Sequence, residues 1–207
     1  RATPPRPPRP TADDADAATP PARPTPEEGE AASNTSHLSV VDADRNAVSL
    51  TFTVGVLFGS GVYANGFFLN SGANNFDATT RGPNRFGSST IAPTIVLDGD
   101  DVRWVAGAAG SAYIPTATTQ VTWRHLVLGE DPWLAIAAPR LHPGARAVVE
   151  VEPGFAPEVY AALAAAGYEP LSRVADITFG GVHAIAVQRG RLIGVADPRR
   201  DGAAVGY

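Results

Sequence analysis

Hydrophobic residues return at every second position from Val48 to Val54, where Val48, Leu50, Phe52 and Val54 alternate with Ser49, Thr51 and Thr53. A period of two predicts a β-strand with unlike faces. The preceding run, Leu38 to Val41, is also strand-like, and Asp42-Ala43-Asp44-Arg45-Asn46 between the two is turn chemistry. Pairing residues 42 and 46 across a three-residue loop sets Val40 opposite Val48 and Leu38 opposite Leu50. Carried outward, the same register sets Thr35 opposite Thr53. Directly opposed residues have Cβ atoms about 4.5–5.5 Å apart, within reach of a hydroxyl–hydroxyl hydrogen bond.

Further strands are predicted at 92–97, 103–106, 147–151, 183–188 and 191–195, and helices over 116–128 and 157–166. The second helix carries Pro157-Glu158 in its first turn and stops before Gly167. Strands mixed with a few helices predict α+β layering. Residues 1–34 break this pattern. They hold nine of the 19 prolines, an acidic patch (Asp13, Asp14, Asp16) and almost no large apolar side chain. Such a segment cannot bury enough surface to offset its ordering entropy, so 1–34 reads as a disordered or polyproline linker and 35–207 as the globular domain. The run Pro4-Pro5-Arg6-Pro7-Pro8-Arg9-Pro10 also has the form of a ligand for an aromatic groove, the alternative to a solvated linker.

Composition narrows the classes. The chain has 207 residues, 44% of them hydrophobic, enough for one core and a tail. It lacks cysteine, which excludes disulfides and thiolate chemistry and leaves the redox compartment open. The absence of Met predicts a processed chain or a fragment of a longer precursor. All 16 basic residues are Arg, a bias of the genome rather than of the mechanism, and the net charge of -5 argues against a general nucleic-acid binder. No apolar run approaches membrane-spanning length, and no cofactor or metal is expected. A signal peptide, and hence localisation, stays open.

The junction Asn34-Thr35 carries the chemistry. A threonine hydroxyl is a weak nucleophile until a base removes its proton. Its own α-amine, with a reference pKa of about 7.7–8.0, is suited to that task near neutral pH. Within an uncut chain that amine is an amide. Attack of the hydroxyl on the Asn34 carbonyl, followed by hydrolysis of the ester, would therefore create the catalyst. Taken alone, Asn34-Thr35-Ser36 is equally a polar strand entry or a glycosylation sequon.

The run Thr35-Ser36-His37-Leu38-Ser39-Val40-Val41-Asp42 resembles the maturation site of the γ-glutamyltransferase family, whose small subunit opens with Thr-Thr-His-Tyr-Ser-Val-Val-Asp. Ser36 replaces the second threonine and Leu38 the aromatic. Phe58-Gly59-Ser60-Gly61 looks like the family's Phe-Gly-Ser-Gly, and Leu69-Asn70 through Phe76 resembles its Leu-Asn-Asn-Gln-Met-Asp-Asp-Phe loop. Gly82-Pro83-Asn84-Arg85 and Ser88-Ser89-Thr90-Ile91-Ala92-Pro93-Thr94 are similar to its Gly-Pro-Asn and Ser-Ser-Met-Ser-Pro-Thr elements. Gly107 to Ser111 stands where the family has Gly-Ser-Pro-Gly-Gly, and Ala138-Pro139-Arg140-Leu141-His142 resembles Ala-Pro-Arg-Phe-His. Asp197-Pro198-Arg199 and Gly206-Tyr207 match its ending. The matches keep the family's order over essentially all of residues 35–207.

The resemblance implies an αββα sandwich of the N-terminal nucleophile hydrolase type, completed by a large subunit from the same precursor that supplies an arginine for the substrate carboxylate. It makes Thr35 the nucleophile and Thr53 the residue that holds its hydroxyl. It places the oxyanion hole at the backbone N–H groups of Gly110 and Ser111, donors of a kind worth about 10²–10³ in rate each. Gly107 and Gly110 also serve simply as turn glycines, and Ser111 needs a backbone it can adopt where the family has Gly. Ser88 and Ser89 match serines that bind the substrate α-carboxylate, or else form a surface turn. His37, Arg140 and His142 read as structural.

The family grips the glutamyl α-amino group with an Asn, a Gln and an Asp. Here the matching positions are Gly55, Gly72 and Asn75. Neutral Asn75 replaces a carboxylate only in part, and the two glycines are expected to remove contacts and enlarge the pocket. Glutathione is accordingly not expected to be the preferred substrate. Three functions stay open: a γ-glutamyl amide hydrolase or transferase, the same nucleophile on a non-glutamyl acyl compound, and a catalytically dead interaction protein. Turnover of a γ-glutamyl anilide beside that of other acyl amides separates them.

Overall fold

The computed structural model describes residues 34–76 and 81–206. Of the proposed linker only Asn34 falls within them, so the proline-rich run lies outside the described residues. Strands β1 (Thr35–Val41) and β2 (Ala47–Thr53) form an antiparallel hairpin with Thr35 opposite Thr53, Leu38 opposite Leu50 and Val40 opposite Val48. The turn closes through the Asp42 N–H donating to the Asn46 carbonyl at 3.1 Å. The Asp42 carboxylate accepts from both the backbone and side-chain N–H of Asn46, each at 2.8 Å. The Asn46 side-chain bond is the main reason that the Asp42 carboxyl lies below its usual range. Turn chemistry thus sets the register that brings the two threonines together.

A short ribbon of β3 (Tyr63–Ala64) and β4 (Phe67–Phe68) follows, then β5 (Thr94–Asp98) and β6 (Asp101–Ala109). Helices α1 (Ile114–Leu126) and α2 (Pro132–Ala137) lead to β7 (Leu141–Pro143) and β8 (Val148–Val151). Helix α3 (Pro157–Ala165) connects β8 to its parallel neighbour β9 (Glu169–Ser172), and the chain closes with β10 (Gly181–Gln188) and β11 (Arg191–Val195). The central sheet is antiparallel with the order β11-β10-β6-β5, and a smaller one has the order β7-β8-β9.

The central sheet is covered on both faces. On one, Trp104, Ala106, Ala108, Val182, Ala184 and Ala186 pack against Ile114, Ala117 and Val121 of α1 and Ala135 and Ile136 of α2. Burying a large side chain of this kind contributes roughly 1.5–3 kcal/mol. On the other lies the hairpin, with its polar set inward: Thr35, His37 and Thr51 are buried, while Leu38, Val40, Val48, Leu50 and Phe52 are 38–51% exposed. Helix, sheet and hairpin are three of the expected sandwich layers. The apolar side of the hairpin is where a fourth would lie.

Element boundaries shift modestly from expectation. Helix α1 starts at Ile114 rather than 116, because Pro115 needs no N–H in a first turn. Strand β5 begins at Thr94, after Pro93, and β6 extends at both ends of the predicted 103–106. Helix α2 is an element the sequence reading missed, although Asp131 caps it by accepting from Trp133 and Leu134 N–H and Pro132 opens it. Among the described residues no helix is long and apolar enough to cross a membrane.

Candidate functional site

Thr35 opens β1 and is buried. Contacts farther along the hairpin locate it over the central sheet. The Ser39 hydroxyl contacts the carbonyl oxygens of Val105 at 3.3 Å and His183 at 3.4 Å, and Ser49 donates to the Ala106 carbonyl at 2.9 Å. The His37 ring occupies the space that any side chain at Gly107 would need. Ser39 over Val105 and His37 over Gly107 make a stride of two, which carried one step on directs Thr35 toward Ala109 and the turn that follows it.

His37 is held at both ring nitrogens, Nδ1 by Thr51 Oγ1 at 2.7 Å and Nε2 by Ser39 Oγ at 3.0 Å. Burial first, and the neighbouring His183 second, hold its pKa down at about 4. A neutral imidazole fixed in a hydroxyl network is the structural role expected of it.

Around Thr35 the polar groups converge. Thr53 Oγ1 contacts the Asn34 carbonyl oxygen at a long 3.4 Å and accepts from the Gly55 N–H at 2.9 Å. The Asn34 side chain donates to the Gly55 carbonyl at 3.2 Å. One hydroxyl therefore reaches the carbonyl that self-cleavage would attack, and a loop N–H orients that hydroxyl.

The expected enlargement at the two glycines is not found. Ser71 Oγ fills the space beside Gly55, whose φ of 85° also disfavours a side chain. That hydroxyl accepts from Val56 N–H at 3.1 Å and contacts the Val54 carbonyl at 3.3 Å. Asn70 Oδ1 takes the Gly72 N–H at 2.9 Å and would meet a Cβ there at 2.9 Å. Neighbouring polar side chains thus occupy the space that a side chain at either glycine would need. Asn75 ends a short 3₁₀ turn (Gly72–Asn75), and its carbonyl accepts from the Ser88 N–H at 3.0 Å and lies 3.4 Å from Ser88 Oγ. Ser89 Oγ accepts from Ile91 N–H at 3.2 Å.

Gly110 and Ser111 form the turn after β6. Gly110 has φ 148°, and a Cβ on it would sit 2.5 Å from Gly180 Cα, so only glycine fits. Ser111 does adopt the unusual backbone that its position requires, with φ 51°. Thr90 Oγ1 donates to the Ser111 carbonyl at 2.8 Å, tying the Ser88–Ser89 segment to this turn. Ser71, Thr90 and Gly180 were given no role in the sequence reading. Only Thr90 had a local signal, being the next residue of the Ser88-Ser89 element.

Arg140 and His142 lie behind the turn. Buried Arg140 pairs with Asp197 at 2.5 Å and donates to the Gly180 carbonyl, while Arg199 pairs with Glu152 at 2.6 Å and Asp197 at 3.1 Å. Burial would raise the Asp197 carboxyl, but Arg140 and the N–H groups of Val182 and Arg199 bring it below the usual range. Breaking such a pair costs about 3–5 kcal/mol. Among the described residues no cluster of His, Cys, Asp or Glu is arranged to hold a metal.

The family model described as Gamma-glutamyltranspeptidase matches residues 9–207. A protein named glutathione hydrolase proenzyme from Bacillus subtilis (strain 168) is 32% identical over 181 residues, covering 83% of this chain and 30% of that protein. The chain thus spans less than a third of that relative's length. Gamma-glutamyltranspeptidase from Pseudomonas nitroreducens, solved in complex with L-DON, superposes with a TM-score of 0.71 at 29% identity over 83% of this chain and 98% of the matched one. Cephalosporin acylase from Bacillus halodurans gives a TM-score of 0.73 at 27% identity, over 83% of this chain and 34% of that one.

Proposed function

The chain belongs to the gamma-glutamyltranspeptidase family, and we propose that it is the nucleophile-bearing part of a self-cleaving threonine hydrolase. The observation that carries this reading is the pairing of Thr35 with Thr53, whose hydroxyl lies beside the Asn34 carbonyl. Thr35 Oγ1 attacks the Asn34 carbonyl carbon, and the C–N bond breaks as the acyl group passes to oxygen. Water then hydrolyses the ester, leaving a carboxylate on Asn34 and a free α-amine on Thr35. That amine takes the Thr35 hydroxyl proton in each later turnover.

In catalysis the activated oxygen attacks a γ-glutamyl-type amide carbonyl, and the N–H groups of Gly110 and Ser111 stabilise the oxyanion. The leaving amine departs with the proton. Water or an acceptor amine then attacks the acyl-Thr35 ester and frees the enzyme. Asn75, Ser88 and Ser89, with Gly55 and Gly72, surround the acyl group's distal end. The exposed apolar side of the hairpin supports a large subunit of the same precursor as the partner that completes the domain.

A second reading keeps the nucleophile and changes the acyl group. Ser71 and Asn70 beside the two glycines support it, as does the likeness to a protein named cephalosporin acylase. Full-length protein assayed with a γ-glutamyl anilide and a glutaryl anilide decides between them. Faster γ-glutamyl release supports the first reading and faster glutaryl release the second. Thr53→Val should lower either rate about tenfold or more, through loss of the hydroxyl set opposite Thr35 in the hairpin register. No turnover of either anilide by a cleaved, folded protein would sink both readings.

A further inference from the structure

We propose that Tyr113 is a positioning residue, whose phenol, anchored on Glu150, holds the Gly110–Ser111 turn in its donor geometry. The inference rests on the oxyanion role given above to that turn. Its starting point is a conformational cost. Gly110 at φ 148° and Ser111 at φ 51° occupy sparsely populated backbone regions in succession, and a non-glycine residue there persists only where its surroundings enforce it.

Tyr113 is the third residue of the 3₁₀ turn that begins at Ser111 (Ser111–Tyr113), and its backbone N–H donates to the Gly110 carbonyl at 3.0 Å. The side chain is fixed on three sides. Its ring stacks on His142 with centroids 3.8 Å apart and meets the edge of Phe179 at 5.5 Å. The phenol donates to Glu150 Oε2. Each support is itself held: His142 Nδ1 by Thr116 Oγ1 at 2.9 Å, and Glu150 Oε1 by Arg173 at 3.0 Å. Phe179 precedes Gly180, whose backbone closes against Gly110.

The anchor therefore runs from the small sheet, where His142 and Glu150 face each other on β7 and β8, to the end of the central sheet. Burial, and after it the bond to Glu150, push the Tyr113 pKa up to about 12, so the phenol stays a donor through the neutral range. A phenol hydrogen bond to a carboxylate is of the stronger, charge-assisted kind. It fixes a side chain two residues from Ser111, in a turn with little freedom to absorb movement.

The test uses the full-length protein with Tyr113→Phe, Glu150→Ala, Glu150→Gln and the Tyr113→Phe/Glu150→Ala double variant. Tyr113→Phe keeps the ring and its stacking. The expected result is a kcat about tenfold lower with KM within about twofold, smaller than the about 10²–10³ lost with an entire oxyanion donor. Amide exchange in a peptide spanning 107–115 should quicken by a similar factor. Glu150→Ala should match Tyr113→Phe, Glu150→Gln should retain part of the rate because it still accepts from the phenol, and the double variant should be no slower than either single one. Unchanged kcat and unchanged exchange in Tyr113→Phe, or losses that multiply in the double variant, would overturn the proposal. A cleaved parent that turns over nothing would remove the catalytic reading instead, and the exchange data would still decide whether Tyr113 holds the turn.

Discussion

The two faces of the central sheet are built from opposite materials. Against α1 and α2, Trp104, Ala106, Val182 and their neighbours form a dry apolar layer in which shape and volume matter. Against the hairpin, Ser39 and Ser49 meet the sheet through hydrogen bonds to its backbone carbonyls, and the His37 ring, held within the hairpin by Thr51 and Ser39, lies against Gly107. Apolar contact is non-directional and leaves sliding cheap, whereas a hydroxyl on one named carbonyl specifies a position. The first face supplies stability. The second supplies alignment, and carried along the strand that alignment directs Thr35 toward the end of β6, where the Gly110 turn begins.

The largest expected effect separates the two faces by stability. Trp104→Ala empties a fully buried site and should cost about 3–5 kcal/mol, read from the denaturant midpoint of the full-length protein. Gly107→Ala acts on the other face, where a methyl group must displace the His37 ring. Its stability cost should be smaller, about 1–3 kcal/mol, while self-cleavage slows out of proportion to that loss. A Gly107→Ala protein that cleaves at the parent's rate would show that the polar face does not set alignment.

Acid should act on the hairpin side. Unfolded His37 titrates near 6.5, but in the folded chain it binds its proton only near pH 4. Between those values the unfolded state holds more protons, so stability is present above the window and falls as the pH is lowered through it. The slope from this one residue is at most about 1.4 kcal/mol per pH unit. His183, shifted down mainly by burial, adds in the same direction. Urea midpoints from pH 7 to pH 4 should show the decline, and His37→Gln should flatten it. The smallest expected change is a gain. Ser111→Gly relieves a left-handed backbone and should add about 0.5–1 kcal/mol in the same assay, net of glycine's greater unfolded-state entropy.

Local chemistry made part of this legible. The turn from Asp42 to Asn46 gave the hairpin register through to Thr35 and Thr53, and Pro157 and Gly167 bracketed α3 to within a residue of its observed end. Alternation in β2 announced two unlike faces, but it carries no information about which one turns toward the sheet. Here the polar one does. The residues that fill the space at Gly55 and Gly72 were invisible for a related reason: a glycine shows that its own side chain is missing, not that Ser71 or Asn70 has taken the room. Strand β9 carries Pro170, which argues locally against a strand, and is made one by its parallel pairing with β8. Gly180 beneath Gly110 and Glu150 beside Tyr113 are contacts between distant segments that only the closed fold creates.

The central claim is that Thr35 is freed by cleavage of the bond before it. The most direct test is the intact mass of the full-length precursor after purification, beside a Thr35→Ala control. The account predicts two fragments divided between Asn34 and Thr35 in the parent, and a single uncut chain in the control. A parent that stays whole while folded would contradict it, as would a control that divides at the same bond.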